Sequence, residues 1–563
     1  MSRPARPRRC ALGLAILVGL AIGELRGAET LSGSPSAPAG LGGTLRLAVE
    51  ADPRSLDPAQ VYSREEAMLG FLLFDTLIEA GPDGGFVPGL AESLPVISAD
   101  GLTHTFRLRR DVRFSNGNEL EAEDVVYSFT RFFDPEAETA SSSYFYGIAG
   151  GLEFLEARKR EAASAPERGE GRRQWWIEPL SVSGLRALDR HTVQIRLNQP
   201  DVSFLQVLVS PPGGIVPRSE VARRDRHFGT RPVGTGRFVL RDWVRGARLR
   251  LVRNQGHFRA GHPSPDAVDV LVNVDRPTQA MLFERGEIDF MNYLHDADYP
   301  RFRRDPGLRG LFRIVPGTSP TFVFLNCELP PFTNRIVRVA LNHAVDKEAL
   351  IRVLGHRGSV QRGPLPLTVR GFNRELPEYR HDPARAREML AEAGYPDGFE
   401  TTLWTVRSNA DWMKIAHFVQ DSLRRIGVVA HLKDVSFPAM LDASGRRGTV
   451  PMGVWNWASA FDDPKETLDT LLNGDHLADT GCMNPSFYAN APVQRMFRKA
   501  AAEANPARRA AIYRDIERQV VEDAPWIFLV QFNTEMLCQP WLRGFRASGF
   551  WPSARLENCW IER

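Results

Sequence analysis

Apolar side chains along this chain recur now at every second position and now at every third or fourth. From Thr44 to Val49 the alternation puts Leu45, Leu47 and Val49 on one face, as in a half-buried strand. Phe106 with Leu108, the run Val193, Ile195, Leu197, and the run Val268, Val270, Val272, Val274 repeat that period. Phe238 and Leu240, then Leu249 and Leu251, stand either side of Gly246 and predict a hairpin. Helical spacing comes between these strands. Val125, Val126, Phe129 and Phe133 share one face ahead of an Asp134-Pro135 stop, and Ile336, Val337, Ala340, Leu341 and Ala344 share another. Asp382 to Gly394 predicts a complete helix: Asp382 caps it, Pro383 occupies the first turn where its missing N–H costs nothing, and Gly394 takes the left-handed position that ends it. Trp412, Ile415, Ala416, Val419, Leu423 and Ile426 form a further amphipathic helix, stopped by Gly427 and followed by a strand from Val428. Alternating strands and helices predict α/β lobes.

The N-terminus breaks the pattern. Arg3, Arg6, Arg8 and Arg9 precede an uncharged run from Ala11 to Gly23, with small residues Ala21 and Gly23 at cleavage positions, which reads as a secretory signal peptide over residues 1–23. The run is short for a bilayer span, although an uncleaved anchor is the alternative. Cys10 stands before the apolar run, so it is not the modified cysteine of a lipoprotein. Residues 24–42, rich in Gly, Ser, Pro and Ala, read as a flexible linker, and folding is expected to begin near Gly43. The dense charge from Ala157 to Arg173 predicts a solvated insertion or loop. No later apolar run is long enough to span a bilayer, so an exported, soluble, periplasmic protein is expected.

Composition narrows the function classes. Of 563 residues, 71 are Lys or Arg and 68 are Asp or Glu, a net charge of +3 that excludes a phosphate-neutralising nucleic-acid binder. A hydrophobic content of 43% excludes a disordered chain. At roughly 150 residues per domain the length predicts several domain-sized units. Cys327, Cys482, Cys538 and Cys559 allow three disulfide pairings after export, with four buried thiols as the alternative. Catalytic motifs are missing: Gly234-Thr235-Gly236 lacks the third glycine of a dinucleotide loop, and no phosphate loop, HExxH helix or GxSxG elbow occurs. His257 and His262 read as exposed loop histidines, and no CxxC pair suggests zinc. No catalytic residue, metal ligand or cofactor is predicted.

Several ordered segments carry a resemblance. Gly43 to Pro58 (GTLRLAVEADPRSLDP), Leu73 to Leu94 (LFDTLIEAGPDGGFVPGLAESL) and, most specifically, Thr105 to Phe133 (TFRLRRDVRFSNGNELEAEDVVYSFTRFF) are followed by Val233 to Val239 (VGTGRFV), Arg285 to Asp289 (RGEID) and Asn326 to Asp346 (NCELPPFTNRIVRVALNHAVD). Together they resemble the dipeptide and oligopeptide class of ABC-transporter extracellular solute-binding proteins, bacterial family 5. The resemblance implies an α/β two-lobed clamp hinged on two crossing strands, with an extra subdomain in the first lobe. Mapped here, the first lobe is 43–70, 212–317 and 533–563, the inserted subdomain 71–211, and the second lobe 318–532. It implies a monomeric receptor that takes a peptide or small-molecule ligand, binds no nucleic acid, and docks on membrane permeases served by ATPases. An exported hydrolase is the remote alternative, without a recognisable nucleophile and base.

Peptide-binding relatives hold the peptide ammonium on a carboxylate in a W..D...P segment. The matching stretch is Trp455 to Pro464 (WNWASAFDDP), with Trp457 in place but Ala460 where the acid belongs. An alanine cannot make the charge-assisted bonds a desolvated ammonium needs. Either Asp462 or Asp463 replaces it, or the cleft takes a non-peptide solute. Candidate ligand contacts are Tyr62 and Ser63 after the LDP turn, Tyr144 and Tyr146, Trp455, Trp457, Ala460, Phe461, Asp462, Asp463, and Arg362 as a carboxylate ligand.

Overall fold

The structure, a computed structural model, describes residues 42–562 except 82–84, 138, 140, 165–181, 260–264, 296, 460–461, 504, 548–549 and 551–553. The predicted signal peptide and almost all of the linker lie outside the described residues.

The first lobe begins with β1 (Thr44–Ala48), whose Leu45 and Leu47 are fully buried as their alternation predicts. Next comes α1 (Arg64–Leu73), started by a capping box in which the Ser63 hydroxyl accepts from Glu66 N–H and Glu66 accepts from Ser63 N–H. The inserted segment builds its own antiparallel sheet from Val96–Ile97, Thr103–Arg107, Thr192–Arg196 and Leu185–Asp189, backed by α2 (Ala122–Thr130). Its Phe106, Phe129, Phe133, Val193 and Ile195 join the same core as Leu45 and Leu47, so the insert grows out of the first lobe's interior. β2 (Phe238–Val244) and β3 (Arg248–Arg253) form the expected hairpin around Gly246, whose φ of +76° favours glycine. β4 (Ala267–Leu271) pairs parallel with β1 to complete the order β1-β4-β3-β2. α3 (Arg276–Glu284) and β5 (Phe290–Asn292) close this half.

The chain crosses into the second lobe on one long strand, β6 (Phe312–Leu325). There follow α4 (Arg335–Ala344), α5 (Lys347–Val353), α6 (Pro383–Glu392), β7 (Phe399–Val406), α7 (Ala410–Arg424), β8 (Val428–Val435), β9 (Met452–Asn456), α8 (Pro464–Leu472) and α9 (Pro506–Asp523). The chain returns on a second long strand, β10 (Trp526–Cys538). The sheet order is β5-β10-β6-β9-β7-β8, so two strands tie the lobes together. They pair antiparallel, Phe312 with Leu537 in the first lobe and Phe324 with Trp526 in the second, and the register slips between Pro316 and Ser319 and between Thr321 and Phe322. Extra residues of this kind bend and twist a strand pair, and here they fall midway between the lobes. Gly317 is required at that point: a Cβ there would lie 2.3 Å from the Phe532 carbonyl oxygen. The tail then returns Met536, Cys538, Leu542, Ala554, Leu556, Cys559 and Ile561 to the first core. The result is a two-lobed α/β clamp.

Two expectations are corrected, and of the two cysteine readings the structure shows the thiols. Residues 157–164 belong to the helix Gly151–Ser164 rather than a loop, while 165–173 lie outside the described residues; pairs such as Glu156 with Lys159 at 2.9 Å support the charged side of that helix. His257 is buried, its Nε2 3.5 Å from the equally buried Asp75, whereas His262 lies outside the described residues. The four cysteines are free thiols, all but Cys327 buried.

Candidate functional site

A cavity of about 480 Å³ opens between the lobes where the two long strands lose register. Its floor is the irregular strand middle, with Gly317, Ser319 and Thr321 of β6 and Phe532 to Glu535 of β10. The first lobe supplies Glu50 beyond β1, Arg64, Glu65 and Met68 from the first turns of α1, Arg276 and Gln279 from α3, and Asn292 and Tyr293 at the end of β5. Opposite them the second lobe presents Arg357, the start of α7 with Asn409, Asp411 and Trp412, and Asn456 at the end of β9. Element ends thus converge on one gap.

Both charge signs face the cavity. Arg276 Nε lies 2.8 Å from Glu50, and Arg357 Nη1 lies 3.3 Å from Asp411. Arg64 and Arg276 both lie over the Tyr293 ring, 5.6 and 5.9 Å from its centroid, and Tyr293 itself holds a left-handed φ of 52°, a strained choice for an aromatic residue. Tyr299 donates to Glu535 at 2.8 Å; burial, then the Glu535 charge, pushes its phenol up to about 12. Two polar atoms stand out. Thr321 Oγ1 and Asn292 Oδ1 are enclosed yet have no hydrogen-bond partner among the described residues. Enclosed polar groups are nearly always paired, so these two are conspicuous beside the cleft.

The predicted contact residues scatter around this cavity. Ser63 is spent capping α1, and Tyr62 is 67% exposed with Arg54 5.0 Å from its ring centroid. Trp455 is buried behind the cavity, its ring 6.1 Å from that of Trp412, which does line it. Trp457 continues beside β6, bonding Pro320 through its backbone and donating from Nε1 to Glu466 at 2.8 Å. Tyr144 reaches this part of the seam from the inserted segment, and burial followed by the Glu466 charge raises its phenol. Tyr146 instead packs on the first core, 6.4 Å from the Phe133 ring. Ala460 and Phe461 lie outside the described residues.

The two acids considered as amine anchors have partners. Asp463 caps α8 and forms a buried bidentate pair with Arg509 at 2.6 and 2.8 Å. Asp462 accepts from Arg370 N–H at 2.8 Å and pairs with its guanidinium; burial raises its carboxyl despite that charge. Arg362 sits away from the cleft, 3.6 Å from Glu378 in a second, smaller cavity. Sequence reasoning missed Arg64, Arg276, Arg357, Asp411 and Tyr293. Only Arg64 carried a signal, since it follows the segment resembling the family's LDP turn.

With this geometry in place, residues 85–479 match the model of the bacterial extracellular solute-binding proteins, family 5 Middle. The chain belongs to this family. Among family 5 relatives, heme-binding protein A of Haemophilus influenzae is 28% identical over 531 residues, covering 92% of this chain and 89% of that protein. The periplasmic oligopeptide-binding protein OppA of Escherichia coli is 26% identical over 527 residues, covering 91% of each. The solved structure of clavulanic acid biosynthesis oligopeptide binding protein 2 superposes with a TM-score of 0.82 at 26% identity, over 93% of this chain and 96% of that one. In family 5 terms the cavity is the gap between the clamp's lobes. Among the described residues no helix is long and apolar enough to cross a membrane, and no cluster of metal-ligating side chains occurs.

Proposed function

We propose that this protein is the periplasmic solute-binding subunit of an ABC importer, capturing short peptides or peptide-like solutes between its lobes and delivering them to a membrane permease. The observation that carries the reading is the cleft lining, where Thr321 Oγ1 on the floor and Asn292 Oδ1 on the first-lobe side have no hydrogen-bond partner among the described residues, between walls that bear guanidinium and carboxylate groups. A peptide carries donors, acceptors and both charges, so it complements such a lining, and the cavity lies within the roughly 300–1,000 Å³ usual for small-ligand sites. The oligopeptide-binding name of one relative supports the class. The receptor leaves its solute unchanged, its affinity set by cleft contacts and by the balance of open and closed lobes.

One observation favours a second reading, a non-peptide solute. Ala460 stands where the ammonium-binding acid belongs, and Asp462 and Asp463 are engaged by Arg370 and Arg509. Mass spectrometry of solutes released by denaturing protein purified from its own host separates the two. Recovery of peptides is the expected result, and recovery of non-peptide solutes alone overturns the peptide assignment. Incubation with a mixed peptide pool should give no cleavage; turnover would make the protein a hydrolase.

A further inference from the structure

A second cavity, of about 170 Å³, lies in the second lobe away from the interlobe cleft. Its wall includes Lys347 at the start of α5, Gln361 and Arg362 beyond the strand Gly358–Val360, and Glu378, Tyr379 and His381 ahead of α6. Lys347 is 8% exposed, and its ammonium makes no hydrogen bond or ion pair among the described residues. It lies over the Tyr379 ring, 5.4 Å from the centroid. A buried ammonium with no direct partner is costly, and chains normally pair such a group or coordinate it; here the Glu378 carboxylate favours the charged form without bonding it.

The other charges at this cavity are engaged or turned outward. Arg362 reaches Glu378 at 3.6 Å, His381 stands 3.9 Å from Asp346, and Asp346 caps α5 by accepting from Ala349 N–H at 2.8 Å. Glu348 and Arg380 also line it and are exposed, while His343 sits behind with its ring edge on Tyr379. Gln361 anchors the wall by donating to the Leu365 carbonyl at 2.7 Å. One ammonium therefore faces the cavity, with the guanidinium groups of Arg362 and Arg380 and the carboxylates of Asp346, Glu348 and Glu378 around its rim.

We infer that this cavity is a binding site for a small oxyanion, a phosphate or a carboxylate, with Lys347 as its counter-ion at the floor and Arg362 and Arg380 at its mouth. Burial pulls the Lys347 ammonium down to about 7, with the Glu378 charge opposing that shift. An anion favours the charged form, so binding takes up a proton, is strongest below that pH and weakens above it.

Lys347 is one of only six lysines in the chain, so its side chain can be followed by lysine ¹³C NMR in the intact protein. Inorganic phosphate and, separately, acetate are titrated against sodium chloride of matched ionic strength. A saturable, Lys347-specific shift with one or both oxyanions, accompanied by a raised lysine pKa, is the expected result, and the stronger of the two names the ligand. A signal that stays still with both, or moves equally with chloride, overturns the site. Lys347→Met keeps the apolar stem without the charge and should fold. It should lose the oxyanion-dependent rise in thermal midpoint that the wild type shows, while solute affinity in the interlobe cleft stays unchanged. An identical oxyanion response in K347M also overturns the assignment.

Discussion

Asp463 and Arg509 show what a buried charge does in this protein. Both side chains are less than a tenth exposed, and two parallel hydrogen bonds join them while Asp463 also starts α8. Removing one partner leaves the other buried and unpaired. Asp463→Ala is expected to destabilise the fold by about 3–5 kcal/mol in urea denaturation, and Asp463→Ala with Arg509→Met should recover much of that loss. Glu517 works in the opposite sense. Burial pushes its carboxyl up to about 8, against hydrogen bonds from Asn373 and Leu365 N–H groups. Between its ordinary 4.5 and about 8 the folded chain keeps a proton that the unfolded chain has released, so stability should fall as pH rises through that window. Glu517→Gln should flatten the wild-type decline, a few kcal/mol in unfolding free energy measured on either side of the window.

Elements decide how the lobes meet. Lys465, in the first turn of α8, lies 2.6 Å from Asp201 of the inserted segment, which makes the pair a bridge across the interlobe seam. Burial opposes the charged form of each, yet the partner outweighs it, raising the lysine and lowering the aspartate. Lys465→Met should weaken solute binding by about 1–3 kcal/mol, less than for a fully buried pair because both side chains retain some exposure. Calorimetry would read the loss and small-angle scattering the accompanying expansion; an unchanged affinity and radius would remove the bridge from closure. The same scale explains what could be read from the chain alone. The helix Pro383–Glu392 was legible to its caps because Asp382, Pro383 and Gly394 are local signals, and the Gly246 hairpin likewise. The main cavity was not, because its residues stand at the ends of α1, α3, β5, α7 and β9 and meet only after the long strands cross. Arg362 was legible as a cation but not as to which cavity it would face.

At the scale of the whole molecule the clamp turns small contacts into a population shift. A solute that touches both walls binds the closed form better than the open one and draws the lobes together. Ligand at a hundred times its dissociation constant should add about 2.7 kcal/mol to the apparent unfolding free energy and reduce the radius of gyration. A rise in stability without compaction would place the solute on one lobe only.

The returning tail bears on a different matter, the order in which the chain can fold as it emerges. β1 begins the first lobe, yet that lobe's core also includes Leu542, Leu556 and Ile561, and β5 pairs with β10. The first lobe therefore cannot finish until β10 and the segment after it arrive, long after most of the second lobe has appeared. During synthesis its unfinished core has to be shielded from wrong partners, and loss of the segment after β10 should act on the half of the protein made first.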